Sequence, residues 1–164
     1  MSWKCQICGM EHENVPLCFG IEAPWRALVP AVDFDERVEL TRDQCVVDRQ
    51  LFFIRGHIEL PIQGSAESLS FAVWSSLSEA SFIHLTGRWE SPDRASDPPY
   101  FGWLSSPIPV YPGTIHLKLS VQSRPPGFTP LFTTELTGHP LAIDQHTGIS
   151  ITRWHELAHR LLHA

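Results

Sequence analysis

The chain has 164 residues, of which 43 % are hydrophobic and 18 % are charged. This length suits one domain, and the apolar content is enough for a packed core, which excludes a disordered chain. The formal net charge is −6 at pH 7, and no Lys/Arg cluster interrupts it, so nucleic acid is excluded as the expected partner.

Membrane and secretory segments are not predicted. No apolar run approaches the roughly 18 residues that a membrane helix needs, and the first residues lack the apolar core of a secretory signal. We therefore expect a cytoplasmic protein whose four cysteines stay reduced and serve metal binding or plain burial rather than disulfides.

The first half of the chain predicts a turn-rich head followed by strands. Residues 1–20 form the head, and residues 23–42 are acidic and partly helical in character. In residues 51–62 apolar and polar side chains alternate, which predicts a strand, and residues 69–77 predict another. These two strands, separated by residues 63–68, predict a β-hairpin with a longer loop.

The second half predicts a short helix, more strands and a terminal helix. Ser78 is a capping residue for a helix over 78–85 that ends near Gly87, and strands follow at 114–122 and 131–136. The terminal helix begins at Ser150 or Thr152, and its apolar stripe has helical spacing. These elements predict a single α+β domain over residues 1–164. Its sheet is mainly antiparallel, with a short middle helix, a C-terminal helix packed on the sheet and an N-terminal cysteine knuckle.

The head contains a candidate zinc site. Cys5 and Cys8 have C-x-x-C spacing, which places both sulfurs about 2.3 Å from one zinc ion, and the following Gly9 allows the turn. His12 is close enough to be a third ligand. The fourth must come from elsewhere: Cys45 is the first choice and Cys18 the second. The alternative is a pair of free, partly buried thiols.

A redox role is a second interpretation of Cys5 and Cys8. Redox C-x-x-C pairs sit between a strand and the helix that lowers the thiol pKa. Here no strand is predicted before the pair, which disfavours that role. A thiol oxidoreductase would require a depressed pKa at Cys5.

The terminal helix contains a second candidate site. His155, Glu156 and His159 fit H-E-x-x-H, the pattern of a zinc hydrolase with a glutamate general base. His163 is one turn further along, but three ligands on one straight helix cannot surround a single ion. The third ligand would have to come from an earlier loop, for example His139 or His146. The alternative is coincidence among nine histidines.

Several polar and aromatic residues lie near predicted turns. Arg124, before two prolines, is placed to hold an anion or to pair with a local acid. Trp103 and Tyr111 are expected to anchor loops to the core, although aromatic residues at loop tips also form protein-binding hot spots. Neither a Ser-His-Asp order nor a glycine-rich phosphate loop is present.

A set of motifs spans essentially the whole chain and resembles a known bacterial family. The motifs are Cys5-x-x-Cys8-Gly9-x-x-His12, Cys45-Val46-Val47-Asp48, Phe52-Phe53-Ile54-Arg55-Gly56, Val73-Trp74-x-Ser76-Leu77-Ser78-Glu79, Pro99-x-Phe101-Gly102-Trp103-Leu104, Tyr111-Pro112-x-Thr114, Arg124-Pro125-Pro126-Gly127 and His139-Pro140-Leu141-Ala142-x-x-Gln145. In this order they resemble the family called domain of unknown function 2199, a name that implies no activity.

The resemblance bears on the choice of site residues. It implies counterparts of Cys5, Cys8, His12 and Cys45, which favours these four as ligands, whereas the family usually has Ser at Cys18. The family's terminal helix is similar in its apolar stripe and its Leu-Leu-His ending but is not associated with H-E-x-x-H. His139 and Gln145 belong to a family motif, and the resemblance assigns them no role.

The resulting hypothesis is a non-enzymatic binding module with an acidic surface and a structural zinc ion. Four protein ligands leave no open position for substrate. The acidic charge favours a basic protein partner, of which a toxin neutralised by an immunity protein is one example. The zinc hydrolase and the thiol oxidoreductase remain the alternatives.

Overall fold

In a computed structural model the chain is described for residues 2–5 and 7–164, so Met1 and Gln6 of the predicted knuckle lie outside the described residues. The strands are β1 (Trp3–Lys4), β2 (Glu11–His12), β3 (Cys18–Gly20), β4 (Val38–Leu40), β5 (Gln44–Val47), β6 (Leu51–Pro61), β7 (Ser68–Leu77), β8 (Tyr100–Leu104), β9 (Lys118–Gln122) and β10 (Leu131–Thr134). The helices are α1 (Phe34–Arg37), α2 (Glu79–Gly87), α3 (Pro140–Thr147) and α4 (Ile151–Leu162), with short 3-10 helices at Pro24–Ala27, Ala31–Asp33 and Arg94–Ser96.

Strands β6 to β10 close into a five-stranded barrel. Consecutive strands pair antiparallel, and β10 then returns to β6 through the parallel pair Leu131 and His57. This closing pair is parallel because an odd number of alternating strands leaves the first and last pointing the same way. The α+β class is confirmed. The expected mainly antiparallel sheet is matched only in part: the strands form a closed barrel with additional strands, and the β10–β6 and β3–β7 pairs are parallel.

The two long strands also carry the strands outside the barrel. Beside its pairing with β10, β6 pairs with β5, which pairs with β4, while β7 pairs with β3 in parallel as well as with β8. The predicted β6–β7 hairpin is confirmed over ten residue pairs. As the alternation predicts, Ile54, Ile58 and Leu60 are fully buried, whereas Arg55 is half-buried and ion-paired with Asp43.

Glycines allow the barrel to close. A Cβ atom built on Gly56 would lie 2.5 Å from the Phe132 ring and 2.7 Å from the Pro130 carbonyl oxygen. A Cβ atom on Gly102 would lie 2.6 Å from the Ser76 carbonyl oxygen. Both glycines therefore sit where neighbouring strands approach too closely for any side chain.

Helices α2 and α3 pack against β6, and α3 also contacts β10. As predicted, Ser78 caps α2 and Ser150 caps α4, each accepting a hydrogen bond from a backbone N–H three residues on. Leu157 of α4 and Leu141 of α3 are buried in the main core. A second core cluster lies around β5, with Trp25, Val29, Val38, Cys45, Val47, Phe53 and Trp74.

None of the helices in the described ranges has both the length and the apolar character needed to cross a bilayer.

Candidate metal centre

The N-terminal hairpin, residues 3–12, holds the two cysteines in one tight turn. Trp3 pairs with His12 in the β1–β2 ladder. At the turn the Cys5 N–H donates to the Met10 carbonyl oxygen, and the Gly9 N–H donates to the Cys5 carbonyl oxygen, both at 2.9 Å. Gly9 has a φ of 71°, a conformation that glycine adopts without steric cost. Cys5, Cys8 and Gly9 thus lie close together in this turn.

The end of α4 brings an imidazole to this turn. His163, the residue after α4, places Nε2 2.9 Å from the Cys5 Sγ. The ligand atoms of Cys5, Cys8 and His163 all lie within 4.8 Å of one another, so these three residues could hold a metal ion. In a tetrahedral zinc site neighbouring ligand atoms lie about 3.5 Å apart, which this group can reach with small side-chain adjustments.

His12 is a neighbour of the same group. Its Nε2 atom lies 3.5 Å from the Cys8 Sγ, and its ring faces Trp3 at a centroid distance of 5.1 Å. Cys8 and His12 therefore approach each other in the hairpin, but His12 is not one of the three residues whose ligand atoms all lie within 4.8 Å of one another. A fourth donor, His163, was considered in the sequence only as a possible extension of the H-E-x-x-H pattern.

The thiol of Cys5 favours its charged form. Burial opposes ionisation, but hydrogen bonds from the backbone N–H groups of Cys8 and Ile7 and from the His163 imidazole outweigh it and lower the pKa of Cys5 to about 6. A thiolate is the form that binds metals. The low pKa also meets the requirement of the redox alternative. However, Cys5 is fully buried, and a redox nucleophile must be reachable by its substrate.

The two other cysteines lie elsewhere. Cys45 is fully buried in β5, within the second core cluster beside Trp25 and Phe53. Burial raises the pKa of its thiol to about 11, so it is neutral at physiological pH. Cys18 is exposed at the start of β3. Neither belongs to the Cys5, Cys8 and His163 group.

The H-E-x-x-H residues line a different space. His155, Glu156 and His159 face a cleft of about 680 Å³ between α4 and the hairpin. His159 is only 9 % exposed, and its ring packs on Trp3 at a centroid distance of 4.0 Å. Among the described residues, no metal-binding group of three includes His155 or His159.

His139 and His146, the candidates for a third hydrolase ligand, form hydrogen bonds to backbone groups. His139 accepts a hydrogen bond from the Leu141 N–H through Nδ1, and its Nε2 donates to the Pro112 carbonyl oxygen. His146 Nε2 lies 2.6 Å from the Thr134 carbonyl oxygen, which therefore accepts a hydrogen bond from it. Both imidazoles hold α3 against neighbouring segments.

Other motif residues have structural partners. Gln145 accepts hydrogen bonds from the Thr134 N–H and hydroxyl and donates to the Phe132 carbonyl oxygen, so it ties α3 to β10. Arg124 pairs with Glu59 at 3.0 Å, which confirms the predicted local acid.

The predicted anchoring of the aromatic residues holds for Tyr111 but not for Trp103. Tyr111 is buried and donates to Asp144 at 2.6 Å. Trp103, in contrast, remains 40 % exposed. Its side chain is therefore available to a binding partner.

Comparisons with known proteins identify one family. The model described as "Uncharacterized protein conserved in bacteria (DUF2199)" matches residues 4–149. The match contains the barrel and all of the hairpin except Trp3, and it ends just before α4 and His163. No curated protein and no solved structure matches the chain.

Proposed function

We propose that this chain, which belongs to the DUF2199 family of uncharacterised bacterial proteins, is a binding module whose N-terminal hairpin is fastened by a structural zinc ion. The observation that carries the proposal is the convergence of Cys5, Cys8 and His163 within 4.8 Å. In the proposed site His12 is the fourth ligand, and His163 takes the position that the sequence motifs assigned to Cys45.

The donor set favours zinc. Thiolate sulfur and imidazole nitrogen together are typical of structural zinc sites, whereas magnesium and calcium prefer oxygen. Two cysteines and two histidines would complete a tetrahedron and leave no open position for water or substrate. The low pKa of Cys5 supports the charged thiolate that such a site requires.

The zinc ion would supply stability that the hairpin lacks. Strands β1 and β2 have two residues each, and an isolated hairpin of this size does not persist in water. A metal bonded to both the hairpin and the end of α4 closes a loop of nearly the whole chain. Its binding free energy is therefore folding free energy for the hairpin.

An exposed apolar surface supports a binding role. The Trp103 surface consists of Leu28, Leu51, Phe101, Trp103 and Ile115, each at least 40 % exposed. Four of these, all but Phe101, line a cleft of about 590 Å³ at one end of the barrel. Contiguous exposed apolar groups of this kind mark interaction sites.

We assign a protein partner to this module. The net charge of −6 suits a basic partner, and a toxin bound by an immunity protein is one such case. Free thiols at all four cysteines fit a reducing compartment such as the cytoplasm. The proposal predicts no catalytic residues.

Metal content tests the zinc assignment. We expect about one zinc per chain in purified wild type by elemental mass spectrometry, and loss of zinc in Cys8→Ser. Cys18→Ser is the matched control, because Cys18 is also an exposed free cysteine outside the site. Equal zinc in all three proteins would overturn the proposal.

A further inference from the structure

The cleft between the hairpin and α4 has a mixed lining. The hairpin contributes Trp3, Lys4 and Ile7, and α4 contributes Ile151, Thr152, His155, Glu156, His159 and Arg160. Its volume of about 680 Å³ lies within the range of small-molecule sites. The apolar groups would contact a ligand body, whereas the polar groups would orient its head.

Two cationic side chains of this cleft form no ion pair among the described residues. Neither Lys4 nor Arg160 has an ion pair within the described part of the chain, although other arginines, such as Arg37 with Asp48 and Arg88 with Asp97, are paired. Glu156 is the one acid among the lining residues. Lys4 and Arg160 thus outnumber Glu156 among the lining residues, while Glu11 lies opposite Lys4 in the β1–β2 ladder.

Trp3, which lines this cleft, has a buried donor that lacks an acceptor within the described ranges. Trp3 is 9 % exposed, and its Nε1 atom is the buried side-chain nitrogen or oxygen without a hydrogen-bond partner among the described residues. Buried polar groups are almost always hydrogen-bonded, and leaving one unpaired costs about 1–3 kcal/mol. This nitrogen is closed to solvent in the structure, so a ligand acceptor would remove that cost once the Trp3 ring turns toward the cleft.

We propose that this cleft binds a small organic anion, with a carboxylate or phosphate held by Lys4, Arg160 and the Trp3 N–H. The apolar body of the ligand would lie against Ile7 and Ile151. The inference rests on the proposed function in one respect, since the zinc site would hold the hairpin wall of the cleft in place. It gives α4 a role other than catalysis: the H-E-x-x-H residues form a ligand-binding wall.

Calorimetric titration with three probes tests the proposal. Benzoate and phenyl phosphate carry the two candidate head groups on the same ring, and benzyl alcohol is the neutral control. We expect saturable binding of at least one anion and none of benzyl alcohol. Tighter binding of benzoate would identify a carboxylate site, and tighter binding of phenyl phosphate a phosphate site. Equal binding of the neutral probe, or no binding of either anion, would overturn the proposal.

Charge variants test the position of the site. We expect Lys4→Gln and Arg160→Gln each to weaken anion binding roughly two- to fivefold, the range of exposed charge pairs. Glu156→Gln should strengthen binding by a similar factor because it removes the one opposing charge. Arg42→Gln is the matched control, since Arg42 is an exposed cation outside the cleft. If all four variants bind alike, the anion does not occupy this cleft and the proposal fails.

The indole donor has its own variant. Trp3→Phe keeps an aromatic ring but removes the N–H, and a hydrogen bond to a charged acceptor is worth at least about tenfold in affinity. We expect that loss with zinc content unchanged, and unchanged affinity would contradict the role of the Trp3 N–H. Zinc is measured in every variant. Zinc without anion binding would refute the cleft alone, and anion binding without zinc would refute the zinc site alone.

Discussion

The Sγ atom of Cys5 and the Nε2 atom of His163 lie 2.9 Å apart although 158 positions separate the two residues in the chain. This contact joins the N-terminal hairpin to the end of α4. Residues so far apart approach each other only through tertiary structure. The contact therefore defines where the two ends of the described chain meet and where a shared metal ion would act.

Replacement of His163 tests this junction. We expect His163→Ala to lose zinc and to lower the free energy of unfolding by about 3 kcal/mol, comparable to the loss of a long-range cross-link. Metal analysis and thermal unfolding are the measurements. His155→Ala is the control on the same helix and should retain zinc. If His155→Ala lost zinc while His163→Ala kept it, the metal would belong to the H-E-x-x-H residues instead.

Replacement of Cys45 distinguishes the ligand set with His163 from the alternative set with Cys45 in its place. Because it lies in an apolar cluster and its pKa is raised to about 11, we expect Cys45→Val to leave the zinc content unchanged. Its thiol should also resist alkylation in the folded protein, whereas Cys18 should react readily. Mass spectrometry after iodoacetamide treatment measures both reactivities. Loss of zinc in Cys45→Val would restore Cys45 as a ligand.

The stability of the metal-free protein should depend on Cys5 ionisation. The pKa of Cys5 is lowered from an ordinary value of 9.0 to about 6, so the folded state favours the thiolate. Its stabilising contribution is complete above pH 9 and disappears as the pH falls through 6. After chelation, the melting-temperature difference between wild type and Cys5→Ser should therefore shrink from pH 9 to pH 5.5. A constant difference would contradict the lowered pKa.

Arg94 fixes a loop of the barrel and was not singled out in the sequence. Arg94 is 4 % exposed, and its guanidinium donates to the carbonyl oxygens of Trp89 and of three residues within 124–128. Removing it would delete all four hydrogen bonds of a charged donor, so we expect Arg94→Met to lower the free energy of unfolding by about 3 kcal/mol. Chemical denaturation measures this loss. Arg26→Met, at an exposed arginine, should change stability little, and equal stability of both variants would refute the role.

A substitution at Gly56 tests how closely the strands of the barrel approach each other. The clash of a Cβ atom with Phe132 and Pro130 predicts that Gly56→Ala destabilises the protein by about 3 kcal/mol, as overpacking does in other cores. Gly20→Ala is the control, because a Cβ atom there meets nothing within 4 Å. Thermal unfolding compares the two. A Gly56→Ala variant as stable as Gly20→Ala would show that the strands are not closely apposed at this point.

Local elements were predictable because their signals are local. Ser78 and Ser150 precede helices that begin where their capping side chains predict, and the period-two pattern of β6 predicts its buried face. The strand expected over 114–122 is shorter, since Thr114 instead bonds the Ser106 carbonyl oxygen and the Ile108 N–H within a turn. Side-chain hydrogen bonds of this kind compete with strand pairing.

One helix was missed although its signal was present. Pro140 was treated as part of a loop, but proline is favoured in the first turn of a helix. His139 before it caps α3 by accepting from the Leu141 N–H. Histidine is an unusual cap, and the first residues of α3 carry no acidic side chain, so the usual start signals were weak.

The closure of the barrel and the position of His163 beside Cys5 could not be predicted from the sequence. The single parallel pair between Leu131 and His57 depends on the coiling of all five strands, which no short-range pattern encodes. In the same way, His163 reaches Cys5 only because α4 packs Leu157 into the core. The proximity of Cys5 to Cys8 and of Cys8 to His12 was predictable from their short spacing in the sequence.

The coordination of the proposed zinc ion tests the central claim most directly. X-ray absorption spectroscopy at the zinc edge of the purified protein measures the number and type of ligand atoms. Two sulfurs at about 2.3 Å and two nitrogens at about 2.0 Å are predicted for Cys5, Cys8, His12 and His163. Three sulfurs would indicate that Cys45 replaces His163. A shell of nitrogen and oxygen alone would place the metal at the H-E-x-x-H residues and contradict the account.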